Sequence, residues 1–208
     1  MQDGPAARVL IPALFVLGSV VVGTPATAFD LNPLSAIKSA VEAAAEDRSA
    51  TDIAKDTSIK ASIAASVIDE MGSDVISISA DVYEQDVMLT GIVEAAEQKE
   101  QAGKLTKAVE HVKKVYNEVM VVKDVDRKKG TAEGFIDDSV IESKINALLL
   151  DASGVNVTNF RWRSVEGNVF LFGRSLSSEE LKKAVAVVKD IKNVIDVTNR
   201  VKIKPKED

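Results

Sequence analysis

The chain repeats itself at a fixed offset of 82 residues, without a gap, from about Asp56 to Val121 and again from Asp138 to Ile203. Asp56 falls on Asp138, Ile59 on Ile141, Ile63 on Ile145, Asp69 on Asp151, Gly72 on Gly154 and Val75 on Val157. The register continues through Val87/Val169, Leu89/Leu171, Gly91/Gly173, Glu97/Glu179, Val112/Val194, Val115/Val197, Asn117/Asn199 and Val119/Val201. Glycines, turn residues and apolar periodicity holding one register together mark a duplicated domain, so the fold must be two copies of one unit. Each copy is then a control for the other. Agreement marks framework, and chemical divergence marks specialisation.

Units of roughly 65 to 70 residues sit near the lower limit for independent folding, where only about 60% of the unfolded chain's surface becomes buried. An apolar fraction of 46% with 28% charged residues is that of an ordinary globular protein. The chain has no cysteine, which removes disulfides and thiolate metal sites, and a single histidine, His111, which removes histidine clusters.

Arg8 precedes an apolar run from Val9 to Gly23, short for a membrane span. Thr24-Pro25-Ala26-Thr27-Ala28 follows and supplies the small-x-small pattern of a signal-peptidase site. Export to the periplasm with cleavage after Ala28 is the expectation. The alternative is an uncleaved anchor, because Asp3 and one basic residue make a weak n-region. A lipoprotein is excluded, since no cysteine follows the run.

Residues 29–55 form an alanine-rich, charged lead-in, helical or partly disordered, and Gly130-Thr131-Ala132-Glu133-Gly134 marks a linker. Within the first unit Ile59, Ile63, Val67 and Ile68 recur at helical spacing, with Asp56, Thr57 or Ser58 as the cap and Gly72 as the stop. Ile76, Ile78, Ala80 and Val82 alternate as a strand, and Glu84-Gln85-Asp86 (Glu166-Gly167-Asn168 in the second copy) turns into a second one. A helix over roughly Ala95 to Val112 and a last strand through Val115, Asn117, Val119 and Val121 complete the unit. The chain reads as α+β: two tandem α-β-β-α-β units, each a three-stranded sheet with two helices on one face. The boundaries are 1–28 signal peptide, 29–55 lead-in, 56–122 first unit, 123–137 linker and 138–204 second unit.

That order, the turn followed by Val87-Met88-Leu89-Thr90-Gly91 (Val169-Phe170-Leu171-Phe172-Gly173) and the closing Val115-Tyr116-Asn117-Glu118-Val119 (Val197-Thr198-Asn199-Arg200-Val201) resemble the BON domain. The domain is named for bacterial OsmY and nodulation proteins, and a signal peptide with two tandem copies looks like the OsmY-type periplasmic arrangement. The resemblance implies a non-enzymatic envelope protein of a class associated with phospholipid interaction and osmotic or envelope stress. The first copy departs from the pattern at the turn, where Gln85 replaces the glycine found at Gly167.

No catalytic, cofactor or metal site is expected. Asp69/Asp151 and Glu97/Glu179 fall at helix ends or on helix surfaces, where caps and solvated charges account for them. His111 has Asn193 at its repeat position and reads as a surface residue. Asn117/Asn199 lies on the inward parity of the last strand and reads as a partner for backbone groups. Gly72 and Gly91 stand alone and make no phosphate loop.

The copies diverge in charge. Residues 56–122 hold 6 Lys against 12 Asp and Glu, net −6; residues 138–204 hold 11 Lys and Arg against 8 Asp and Glu, net +3. With Val169 and Leu171 toward the helices, strand alternation turns Phe170, Phe172 and Arg174 the other way, together with Arg161, Arg163, Arg200, Lys202 and Lys204. The same face of the first unit carries Ser79, Asp81, Met88, Thr90, Ile92, Glu118 and Met120. Trp162 shares the inward parity of Phe160.

Two readings of the basic-aromatic face stand level. In one, Arg161, Arg163, Phe170, Phe172, Arg174, Arg200 and Lys202 meet an anionic phospholipid or membrane surface. In the other, the face docks on the acidic unit of the same chain or on a second molecule, and the phenylalanines become interface core. The first makes the protein a phospholipid-binding envelope protein. Its rival is a chaperone-like or structural interaction module whose partners are envelope proteins. Nucleic acid is set aside because of export and the overall charge of −6. An uncovered face further implies that Leu171→Ala costs roughly 2 to 5 kcal/mol and truncation of Phe170 or Phe172 less.

Overall fold

The computed structural model describes residues 46–72, 77–122 and 137–205. The expected signal peptide, the lead-in as far as residue 45 and the linker segment 123–136 lie outside the described residues.

The first unit contains α1 (Ala50–Met71), β1 (Ser79–Tyr83), β2 (Asp86–Thr90), β3 (Ile92–Val93), α2 (Ala96–Ala108), β4 (Lys114–Asn117) and β5 (Met120–Val121). The second contains α3 (Asp138–Asp151), a 3-10 turn (Val157–Asn159), β6 (Phe160–Val165), β7 (Asn168–Ser175), α4 (Ser178–Lys189) and β8 (Asp196–Ile203). In each sheet the middle strand of the sequence is also the middle strand in space. β2 lies antiparallel to β1 and parallel to β4, and β7 lies antiparallel to β6 and parallel to β8. Parallel neighbours need a crossover, which α2 and α4 supply. β3 and β5 form a short parallel pair of their own, Ile92 opposite Met120.

Helical periodicity becomes one buried stripe per unit. Ile59, Ile63 and Val67 of α1 pack on Ala80, Val82, Val87 and Leu89, and Ile141, Ile145 and Leu149 of α3 pack on Phe160, Trp162, Val169 and Leu171. Trp162 thus lies on the helix side, its indole N–H donating to the Glu142 carbonyl at 3.3 Å.

α1 starts earlier than the periodicity suggests. Ser49 caps it, accepting from the Asp52 N–H at 3.1 Å, so its first turn falls in the stretch read as lead-in. Asp56, expected among the caps, is buried within the helix and clamps the hairpin turn instead. It accepts the Glu84 and Gln85 N–H groups, each at 2.8 Å. Asp138 repeats the clamp on the Glu166 and Gly167 N–H groups at 2.7 and 2.9 Å, while Asp137 caps α3. α2 ends at Ala108, short of Val112, and the following turn puts His111 at φ 69° and its counterpart Asn193 at φ 74°. These two residue types tolerate the left-handed region better than most.

The turns have both central residues left-handed, Glu84 and Gln85 at φ 50° and 65°, Glu166 and Gly167 at 50° and 75°. This is the hairpin geometry that matches strand twist. Gln85 holds it without a glycine because its side-chain amide reaches the carboxylates of Asp52 (3.3 Å) and Asp56 (3.2 Å).

Gly173, at φ 106°, lies where β7 passes beneath the chain at Asn159, and a Cβ there would stand 2.2 Å from the Asn159 carbonyl oxygen. Gly154, at φ 80°, has nothing within 4 Å of its Cβ direction. Gly154→Ala should therefore cost only backbone strain, about 1 to 3 kcal/mol. Gly173→Ala adds a backbone collision and should lower the melting temperature markedly further; equal shifts in thermal denaturation would refute the close approach.

Candidate interaction site between the two sheets

Strand alternation gives each sheet a second face, and in this structure the two second faces are packed on each other. Tyr83 and Met88 of the first unit and Phe170 and Phe172 of the second form one buried cluster, with Tyr116, Met120 and Val165 against it. Phe170 is 6% and Phe172 2% exposed. The expected strand parity holds, because neither phenylalanine is among the helix-side core residues. The expectation of an uncovered face does not hold. Each sheet removes the other's apolar surface from water. Tyr116 meets Phe172 edge-on, ring centres 5.9 Å apart at 68°, the arrangement favoured by ring quadrupoles.

All seven residues read as the binding face come together here, turned toward the first unit. Arg163 holds Asp81 with two contacts, Nε to Oδ2 at 2.9 Å and Nη2 to Oδ1 at 3.2 Å. Arg200 Nε lies 2.6 Å from Glu118 Oε1. Arg174 reaches Glu84 Oε1 at 3.4 Å and donates to the carbonyls of Lys204 and Pro205. Lys204, from the same face, reaches that Glu84 oxygen at 3.2 Å, and Lys202 pairs with Asp86. Burial alone would lower the pKa of Lys202, but its hydrogen bond to Asp86 and the Asp86 charge outweigh this, and the net shift is upward. The Arg163 and Arg174 side chains are 16% and 7% exposed, those of Arg200 and Lys202 42% and 54%. The buried pairs contribute mainly geometry, since desolvation offsets most of their attraction, and removing one partner alone leaves a stranded charge. The exposed pairs are each worth at most about 1 kcal/mol.

Arg161 turns to a partner that the sequence did not suggest. It pairs with Glu46 and donates to the carbonyls of Thr158 and Phe160. Glu46, Asp47 and Arg48, just before α1, strap the two units together. The Asp47 carboxylate accepts from Asn156 Nδ2 (3.0 Å) and Asn159 Nδ2 (2.9 Å), and its N–H donates to Asn159 Oδ1. Arg48 bridges Glu46 and Asp56 and lies over the Tyr83 ring at 4.2 Å; Arg161 flanks the same ring at 5.4 Å. The strap lies outside the repeat, so no second copy drew attention to it.

Two measurements follow. Phe172→Ala should cost as much as Leu171→Ala, roughly 3 to 5 kcal/mol by denaturant titration of the full chain; a surface-like loss below about 1 kcal/mol would mean that the sheets are apart in solution. The second concerns Tyr83, whose hydroxyl donates to Asn159 Oδ1 at 3.2 Å. Burial pushes the Tyr83 phenol well above its ordinary value of 10.0. Below that pH the phenol is neutral in folded and unfolded chains alike. Above it the unfolded chain loses the proton first, so stability falls as pH rises. The wild-type melting temperature should drop more between pH 9 and 11 than that of Tyr83→Phe, and parallel drops would show a solvated phenol.

The profile of the BON domain matches residues 55–123 and 137–205. The chain is 30% identical over 149 residues to osmotically-inducible protein Y of Escherichia coli (strain K12), covering 72% of this chain and 73% of that protein. It is 32% identical over 128 residues to an uncharacterized protein of Anaplasma centrale, covering 62% of this chain and 82% of the other. Among solved structures, CdsD, a structural protein of the type III secretion system of Chlamydia trachomatis, overlays with a TM-score of 0.32 at 15% identity over 71% of this chain and 92% of its own. With two matched copies over most of its length and the sheet order described above, the chain belongs to the BON domain family.

Proposed function

We propose that the protein is a non-enzymatic binding protein of the cell envelope that serves under osmotic stress, and that its basic-aromatic face takes an anionic phospholipid surface in exchange for the first unit. Similarity to an osmotically inducible protein supports the setting. The export signal read from the sequence supports the periplasm. The non-enzymatic reading is supported by the use of the buried carboxylates. Asp56 and Asp138 clamp turns, Asp81 holds Arg163, and Glu180 accepts the N–H groups of Asn156 and Leu176.

One observation carries the lipid reading: the face already binds oxyanions. Arg163, Arg174, Arg200 and Lys202 each hold a carboxylate of the first unit around an aromatic floor. Lipid phosphates offer the same charge and acceptor geometry, each basic side chain adding on the order of 1 kcal/mol at an anionic surface, while Phe170 and Phe172 enter the headgroup region. A second reading, the interaction module, is favoured by the burial of both phenylalanines against the first unit.

The exchange is tested by weakening the closed form from the first unit's side, which leaves the lipid-facing residues unchanged. Full-length protein and Glu84→Lys/Glu118→Lys are sedimented with vesicles containing phosphatidylglycerol, and with neutral vesicles. Binding to anionic vesicles alone is expected, stronger for the variant, and falling by about 0.5 M salt as exposed charges are screened. If neither protein sediments with anionic vesicles, the interaction module is the function.

A further inference from the structure

Residues at the same position of the two copies touch each other across the sheets. Asp81 and Arg163 are repeat equivalents, 82 residues apart, and form the two-contact pair at 2.9 and 3.2 Å. Glu118 and Arg200, again 82 apart, form the pair at 2.6 Å. Met88 and Phe170 are equivalents too, and both belong to the one buried cluster that joins the sheets. Only a two-fold arrangement brings several positions onto their own counterparts, because residues on a dyad face themselves. The register locates the dyad. Met88 and Phe170 lie on the central strands, with Asp81 opposite Met88 and Arg163 opposite Phe170 on one side. On the other side their register partners are Tyr116 and Thr198, and Glu118 and Arg200 follow two residues further along.

A dyad has a consequence for charge. If two first units met by this face, Asp81 would stand against Asp81 and Glu118 against Glu118. Two second units would set Arg163 on Arg163 and Arg200 on Arg200. Only the mixed pair matches opposite signs at both positions. The off-axis contacts have the same bias: Glu84 takes Arg174 and Lys204, and Asp86 takes Lys202. The divergence from −6 to +3 between the copies therefore has its structural use at this interface.

The geometry points to a two-fold pairing surface on which charge selects the partner: a first unit accepts a second unit, from its own chain or from another copy, and refuses its own kind. Repulsion between like faces is as much a part of this specificity as attraction between unlike ones.

Two full-length double variants and their combination test it. Asp81→Arg/Glu118→Arg makes the first face basic at the dyad, and Arg163→Asp/Arg200→Glu makes the second acidic. Each alone sets like charges together and should melt lower and run with a larger hydrodynamic radius than wild type. The quadruple variant restores opposite signs in reversed order, and should recover the wild-type radius and most of the melting temperature. Mixing the two doubles supplies one wild-type pairing and one fully reversed pairing, both between chains. A heterodimer should appear by sedimentation velocity, with neither double dimerising alone. The inference is overturned if the doubles remain as compact and stable as wild type, if a double self-associates through this face, or if the quadruple is no better than its parents. Should a double fail to fold, circular dichroism of the quadruple decides: recovery supports charge selection and failure refutes it. None of these readouts involves lipid, so the outcome is independent of the vesicle experiment.

Discussion

Two helices cover one face of a three-stranded sheet, and the other face has to be hidden or used. In this protein that second face is apolar at its centre in both units, Met88 in one and Phe170 in the other, and the remaining features follow from joining the two centres. A unit near the lower size limit of folding has little buried area to spare. Closing sheet on sheet gives each small core a second layer, and it places the aromatic rings where water would otherwise meet them. The charged rim and the Glu46–Arg48 strap are arranged around that closure.

At the positions described above, agreement and divergence between the copies mark two jobs. Positions that agree hold the unit together: Asp56 and Asp138 clamp the hairpin turns, and Gly91 and Gly173 sit where a side chain would strike the neighbouring backbone. Differing positions on the second sheet faces meet the partner: Asp81 against Arg163 and Glu118 against Arg200, with Met88 and Phe170 in the cluster between the sheets. Duplication thus left the fold unchanged and altered the surface by which the copies recognise each other.

The α-β-β-α-β order, the helix-side core and the side of the sheet on which Trp162, Phe170 and Phe172 lie were legible from periodicity, because strand alternation decides a side chain's face. The break of the first unit's expected last strand into β4 and β5, the latter paired with β3, was not. What lies over that face is not a property of alternation. The sequence showed a basic aromatic surface and an acidic apolar one, which suit each other and suit other partners equally well. Local start signals were also weak where no apolar stripe accompanied them. Ser49 caps a first turn of α1 whose apolar residues are few, so the periodicity puts the cap, at Asp56 or later, at least seven residues late. Asp56 reads as a cap in the sequence because the partners of its buried carboxylate, the hairpin turn 28 residues on and Arg48 of the strap, carry no periodic signal.

The distribution of exposure across the ion pairs decides what ionic strength does to this assembly. Arg163 and Arg174 lie close to the dry cluster and are little screened, whereas Lys202, Lys204 and Arg200 stand at a wet rim, with side chains 54%, 47% and 42% exposed. At 1 M salt the Debye length falls to about 3 Å, enough to silence the rim and not the centre. Apolar burial is not weakened by such screening, and strongly hydrated salts strengthen it. Rising salt therefore removes the rim's power to discriminate between partners before it removes the adhesion of the aromatic centre. The aromatic centre keeps the two sheets closed at salt concentrations that have already silenced the ion pairs of the rim.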